Sequence, residues 1–237
     1  MKIENKILFI SGANRGIGKA LVEQALKHNA KKIYAAARDI SKIPQFNDAR
    51  VVAVELDISN AKQIENAAKI ASDTEILINN AGVASFGSVL TGQVEAMKFD
   101  MDVNYYGTLN LTRAFLPNLQ NKSQAAIASI SSVVGLASMS GIGGYSASKA
   151  ALFSAIQAMR AELKGKIEVY GIFPGPIDTD MARDFPMEKT NVNVAAENIL
   201  QGIIKGEEDI FPDAMSKQVS QIWKTNPKAL EQQFSSM

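Results

Sequence analysis

Lys6-Ile7-Leu8-Phe9-Ile10-Ser11-Gly12-Ala13-Asn14-Arg15-Gly16-Ile17-Gly18-Lys19 is the stretch that decides the fold. An apolar, β-prone run from Lys6 to Ile10 enters a glycine turn and leaves it as a helix over about Gly16 to Lys27. Glycines let a backbone approach a ligand closely. The N-terminus of the next helix presents free N–H groups and the positive end of its dipole, so the turn suits a phosphate. The spacing is Gly-x-x-x-Gly-x-Gly, not Gly-x-Gly-x-x-Gly. It is not a P-loop either: Ala20 follows Gly18-Lys19 where Ser or Thr would hold Mg²⁺, and Ala13 replaces the first glycine. On the glycines alone, a tight strand-to-helix turn without a ligand is an equal reading.

Outward from this turn, short apolar runs alternate with helical patterns. Strands are expected at Lys32 to Ala37, Val51 to Leu56, Glu75 to Ile78, Ala125 to Ile130, Glu168 to Phe173 and Asp209 to Phe211. Helices are expected over Asn60 to Ile70, Phe99 to Leu119, Ala150 to Leu163 and Val194 to Ile204. Strands apolar on both faces, alternating with helices, indicate a parallel sheet covered on both sides. The expectation is a single doubly wound α/β domain of Rossmann type over residues 1–237, with about seven strands. Its cofactor-binding part falls in about 1–130 and its catalytic and substrate part in about 131–237, with ligands at the carboxyl ends of the strands.

Composition removes several classes of chemistry. The 237 residues contain no Cys and one His, so thiolate nucleophiles, Cys-ligated metals and His-rich metal sites are excluded. That His28 stands near a helix end and reads as a favourable dipole contact. With 25 basic and 24 acidic residues and no long run of either sign, neither nucleic acid nor a membrane surface is an expected partner. Met1 to Lys6 carries no apolar leader and no apolar run spans a bilayer, so a cytoplasmic protein is expected. The chemistry must then use Ser, Tyr, Lys, Asn or carboxylates, or a bound cofactor.

Tyr145 and Lys149 supply one such pair. Four residues apart on a helix, they share a face. A nearby cation favours the phenolate and lowers a phenol's pKa from about 10, making a general acid/base. Taken alone the spacing is as well explained by a surface Tyr and Lys. Cofactor choice is read after the second strand, where an acid favours NAD and an Arg accommodates the extra phosphate of NADP. Arg38 stands there, and Arg15 lies in the glycine turn; two guanidiniums suit a 2′-phosphate. Asp39 is the residue that argues for NAD(H). The reading is NADP(H), with NAD(H) as the alternative.

Taken together, the motifs resemble those of the short-chain dehydrogenases/reductases over nearly the whole chain. They are Ser11-Gly12-x-x-x-Gly16-Ile17-Gly18, Asp57, Asn79-Asn80-Ala81-Gly82, Asn104, Ser131-Ser132, Tyr145-x-x-x-Lys149 and Pro174-Gly175-Pro176-Ile177-Asp178-Thr179. Ser11 stands where the family usually has Thr. The resemblance implies that Tyr145 exchanges a proton with a carbonyl or alcohol oxygen as hydride moves to or from the nicotinamide. Lys149 would lower the Tyr145 pKa and bond the nicotinamide ribose, and Ser132 would stabilise the substrate oxygen while Ser131 faces away. Asn104 would kink its helix and hold a water. For the cofactor, the resemblance implies Gly12, Asn14, Arg15, Gly16, Ile17 and Gly18 at the phosphates. Asp57 and Ile58 would meet adenine, Asn80, Ala81 and Gly82 its ribose, and Ile177 and Thr179 the carboxamide. It also implies a homodimer or homotetramer.

For the substrate, the loop Gly135 to Gly144 is small and uncharged, and Phe185 and Met187 are candidates to line an apolar pocket. A small to medium, largely apolar ketone, aldehyde or secondary alcohol is expected. The charged Arg183, Asp184, Glu188 and Lys189 read as a solvated surface. Met215, Val219 and Ile222 show helical spacing in the C-terminal segment 212–237. That segment could be core, a cover for the site or a subunit contact. The rival function is an NADP(H)-binding sensor without turnover, and the set Asn104, Ser132, Tyr145 and Lys149 argues against it.

Overall fold

The computed structural model describes residues 1–237. Seven strands form one sheet: β1 (Ile7–Ser11), β2 (Lys32–Ala37), β3 (Val51–Glu55), β4 (Ile76–Asn79), β5 (Ala126–Ile130), β6 (Glu168–Ile172) and β7 (Asp209–Ile210). Their order is β3-β2-β1-β4-β5-β6-β7 and every pairing is parallel. β1, β4 and β5 are buried along their whole length, so they read as continuous apolar runs. The chain winds one way from β1 to β3 and the other way from β4 to β7. The crevice beyond β1 and β4 is therefore the topological switch point, where ligands bind in open α/β sheets.

Eight helices complete the fold: α1 (Gly16–Lys27), α2 (Ala61–Ile70), α3 (Val94–Met101), α4 (Thr108–Gln120), α5 (Gly143–Glu162), α6 (Val192–Lys205), α7 (Ala214–Thr225) and α8 (Pro227–Ser235). Alternate residues of β1 enter opposite layers, as the strand's period of two requires. Phe9 joins Leu77, Phe115 and Ile156 on the face covered by α2, α4 and α5. Leu8 and Ile10 join Leu21, Ile199 and Ile203 on the face covered by α1 and α6. The doubly wound α/β domain expected from the sequence is the one observed. No helix is long and apolar enough to cross a membrane.

Two elements differ from expectation, and a third resolves an open one. The helix expected from Phe99 begins at Val94 and contains a π-helical turn, Asp102–Gly107, between α3 and α4. α5 begins at Gly143, so Tyr145 lies in its first turn. Gly143 and Gly144 disguise that start because glycine is a poor helix former. The C-terminal segment forms α7 and α8, whose Val219, Leu230 and Phe234 bury against Val133, Val134 and Ile142 beside the site. His28 is the C-cap residue of α1 and bonds Glu197 at 2.9 Å.

Candidate active site

The glycine turn is tied to β4 by side chains. Ser11 Oγ accepts from the N–H groups of Asn80 and Ala81, both at 3.0 Å. Asn80 Nδ2 donates back to the carbonyls of Ser11 (2.8 Å) and Gly12 (3.1 Å). The hydroxyl that departs from the family's usual Thr thus does its work without the extra methyl. Gly12 and Gly16 hold φ of +66° and +53°, which glycine adopts without strain. Arg15, the N-cap of α1, makes no side-chain cap, and no acid stands in the helix's first turn. The first N–H groups of α1 are left for an anion.

The far end of the crevice carries charge. Arg38 is exposed there, and Lys42 joins it on the cleft wall. Asp39 does not pair with Arg38. Its carboxylate accepts from Ser41 N (3.0 Å) and Ser41 Oγ (2.6 Å), which holds it below the usual carboxylate range. Arg15 pairs with Asp180 at 2.9 Å, and Arg183 bonds the same carboxylate. Asp57 lies at the end of β3. Burial works to push its carboxyl up, but the Ser59 hydroxyl and N–H and the Arg38 charge outweigh burial, and it titrates low.

The candidate proton-handling groups meet between β5 and α5. Lys149 is buried, donates to the Ile130 carbonyl at 2.8 Å, and lies 5.7 Å from the Tyr145 ring centroid. Burial pulls its ammonium down to about 8, against the pull of the Asp100 charge. Burial pushes the Tyr145 phenol up to about 12; the Ser132 hydroxyl opposes this and Asp100 adds to it. Burial acts on both groups, and Tyr145 stands as a neutral proton donor at neutral pH. Ser131 Oγ turns away and donates to the Lys149 carbonyl at 3.0 Å. Ser132 Oγ caps the short 3-10 turn Val133–Gly135 and lies 3.4 Å from the Pro174 carbonyl.

Asn104 sits in the π-helical turn, fully buried. Its Oδ1 accepts from Val83 N (2.9 Å), and its Nδ2 donates to Val83 O (2.8 Å) and Ser148 Oγ (2.9 Å). The amide is thereby committed to holding the loop after β4 against α5.

All the expected site residues except Gly18 and Asn104 line one cleft of about 830 Å³. Gly18 lies under the turn and Asn104 behind Gly82, whose β-position is 3.0 Å from Asn104 Oδ1. Beyond Tyr145 the cleft becomes apolar. Phe185 and Met187 line it as expected, with Met215 from α7. The rings of Phe86 and Phe185 meet edge-on at 5.6 Å. Met139 lines it from the expected loop Gly135 to Gly144; sequence reading missed Phe86, Phe99 and Lys42, which also line the cleft. The one available signal was Phe86 itself, a large apolar side chain inside a loop of small residues.

Known proteins share this sequence pattern and fold. The sequence profile of the short chain dehydrogenases fits residues 6–190. A short chain dehydrogenase from Burkholderia cenocepacia, solved in complex with NADP, is 36% identical, covers 99% of each chain and superposes with a TM-score of 0.94. An uncharacterised oxidoreductase of Staphylococcus saprophyticus is 31% identical over 78% of this chain and 83% of its own. The 3-oxoacyl-[acyl-carrier-protein] reductase FabG of Vibrio cholerae is 29% identical over 82% and 83%. A profile match over most of the chain and a structural match end to end lead to one conclusion: the chain belongs to the short-chain dehydrogenase/reductase family, the oxidoreductases that its glycine turn and Tyr145-Lys149 pair resemble.

Proposed function

We propose that the protein is an NADP(H)-dependent oxidoreductase acting on the carbonyl or secondary alcohol of a small to medium, largely apolar substrate. The observation that carries the reading is the position of Tyr145 and Ser132, where the glycine-lined half of the cleft meets the apolar half. A nicotinamide cofactor, when bound, supplies or accepts hydride. The chain fits one: α1 offers an uncapped N-terminus, and the turn before it packs so closely that a β-carbon on Gly12 would sit 2.9 Å from Ala81 Cα. Arg38 and Arg15 suit the 2′-phosphate of NADP with Lys42 beside them, and Asp39 is already engaged by Ser41 and, at 3.5 Å, by Lys42.

In reduction, Tyr145 donates its phenolic proton to the substrate carbonyl oxygen. Ser132 donates a hydrogen bond to the same oxygen, stabilising the charge that develops there. The Lys149 ammonium stabilises the phenolate left behind. Oxidation runs these steps in reverse. Asp57, Ile58 and the backbone of Asn80 to Gly82 orient the adenosine end, and Ile177 and Thr179 the nicotinamide end.

The test is consumption of NADPH, with NADH in parallel, against apolar ketones, aldehydes and quinones. Turnover that prefers NADPH and falls about 10²- to 10⁴-fold in Tyr145→Phe is expected. NADPH binding without turnover on any of them would favour a nucleotide sensor.

A further inference from the structure

Asp100, in α3, is fully buried and has no ion-pair partner. Its hydrogen bonds come from Ser85: the N–H at 3.0 Å to Oδ1 and 3.3 Å to Oδ2, and the hydroxyl at 3.1 Å. A buried carboxylate without a cation is costly, so its surroundings have to account for it.

The packing of α3 on α5 supplies the account. A β-carbon on Gly144 would meet Met97 Cγ at 2.7 Å, so the two helices touch there. Farther along, Asn104 Nδ2 bonds Ser148 Oγ at 2.9 Å. Met97, Asp100 and Asn104 fall on one stripe. Its two ends contact α5 one turn apart, at Gly144 and Ser148. Asp100 falls between them on that stripe. The charge environment agrees with that placement: burial raises the Asp100 carboxyl overall, the Ser85 hydrogen bonds and the Lys149 charge pull against it, and Asp100 in turn acts upward on both Lys149 and Tyr145.

No other charge competes for Asp100. On its own helix, Glu95 and Lys98 pair with each other at the surface. Asp102 is exposed. From the loop after β4 comes only Ser85, and from α5 only Tyr145 and Lys149. Asp100 also continues a ladder that Asn104 begins. Asn104 bonds Val83 and Asp100 bonds Ser85, alternate residues of the loop that leads to Phe86 in the pocket wall.

We propose that Asp100 is a positioning residue of the active site, a buried counter-charge that keeps the Lys149 ammonium protonated and, through Ser85, fixes the loop after β4. The consequence for turnover rests on the reductase reading; the charge pairing does not.

Asp100→Asn keeps the shape and removes the charge. The Lys149 titration is followed by NMR with ¹³C-labelled lysine, its resonance identified as the one missing in Lys149→Met. In Asp100→Asn it is expected to move down by about one pH unit; an unmoved titration overturns the proposal. Should Asp100→Asn not fold, the reciprocal measurement decides. The Asp100 carboxyl resonance in Lys149→Met must titrate higher than in wild type, and equal titrations overturn the proposal. In turnover, the alkaline limb of reduction in Asp100→Asn must shift toward neutral pH. A loss of rate uniform across pH would mark mere structural support and overturn it. If wild type turns over no substrate, the reductase reading fails, and the two NMR results still decide the role of Asp100.

Discussion

Gly18 lies directly beneath Gly12: a β-carbon on Gly18 would sit 2.2 Å from the Gly12 carbonyl oxygen and 2.5 Å from Asn80 Nδ2. The nearest obstacle is backbone, which cannot swing aside as a side chain can. Gly18→Ala is therefore expected to lift the glycine turn away from α1 and β4. Overpacking of this kind costs about 1–3 kcal/mol. Thermal unfolding should show the loss, and fluorescence titration should show weakened NADPH binding. Unchanged NADPH affinity would mean that the turn does not hold the cofactor phosphates.

Arg38→Ala is expected to weaken NADPH far more than NADH. A charge-assisted hydrogen bond of about 1.5–3 kcal/mol corresponds to roughly a ten- to hundredfold loss. Arg15→Ala should act in the same direction but less, because Arg15 divides its attention with Asp180. Equal losses for both nucleotides in Arg38→Ala would refute the 2′-phosphate assignment.

Lys149 makes the stability of the ligand-free protein depend on pH. Its ammonium titrates at about 8 in the fold against an ordinary 10.5, so above pH 8 the unfolded chain binds more protons at this site than the folded one. The contribution of Lys149 to stability is therefore present in full above the unfolded value and is lost as pH falls through about 8. Wild type should gain on Lys149→Met by a few kcal/mol over that window, on the order set by the shift. Denaturant unfolding of both proteins across it is the check; a constant difference would show that the ammonium is not desolvated.

Phe185→Ala opens the apolar half of the cleft and removes the edge-on contact with Phe86. Aromatic pairs of this kind contribute about 0.5–1.5 kcal/mol beyond area burial. KM for bulky apolar ketones should rise several-fold, while the Kd for NADPH stays the same. If both constants rise together, the ring supports the whole cleft and not the substrate end.

Much of this architecture was legible in the sequence because a parallel sheet covered on both faces leaves strands such as Ile76 to Asn79 with no polar alternation to confuse them. The glycine turn and Tyr145-Lys149 were legible because backbone approach and helical spacing are local. What depended on three-dimensional context was not. The start of α3 was hidden because exposed Val94 and Phe99 blur its amphipathic face. The upward push on Tyr145 was hidden because burial is a property of the folded cleft, whereas the neighbouring Lys149 is visible in one dimension. Asp100 gave no signal at all, since a carboxylate in a helix reads as a solvated residue until the face it occupies is known.

The π-helical turn at Asp102–Gly107 frees the two halves of one helix from a common phase. A continuous α-helix would fix how far the α4 residues rotate relative to those of α3. The wide turn resets that angle. Met97, Asp100 and Asn104 can then address α5, while Leu111, Phe115 and Leu119 address the sheet. Removing a single residue from this turn would restore regular geometry and rotate one half by about a quarter turn against the other. Either the core or the Lys149 neighbourhood would lose its partner. The segment is thus intolerant of changes in length.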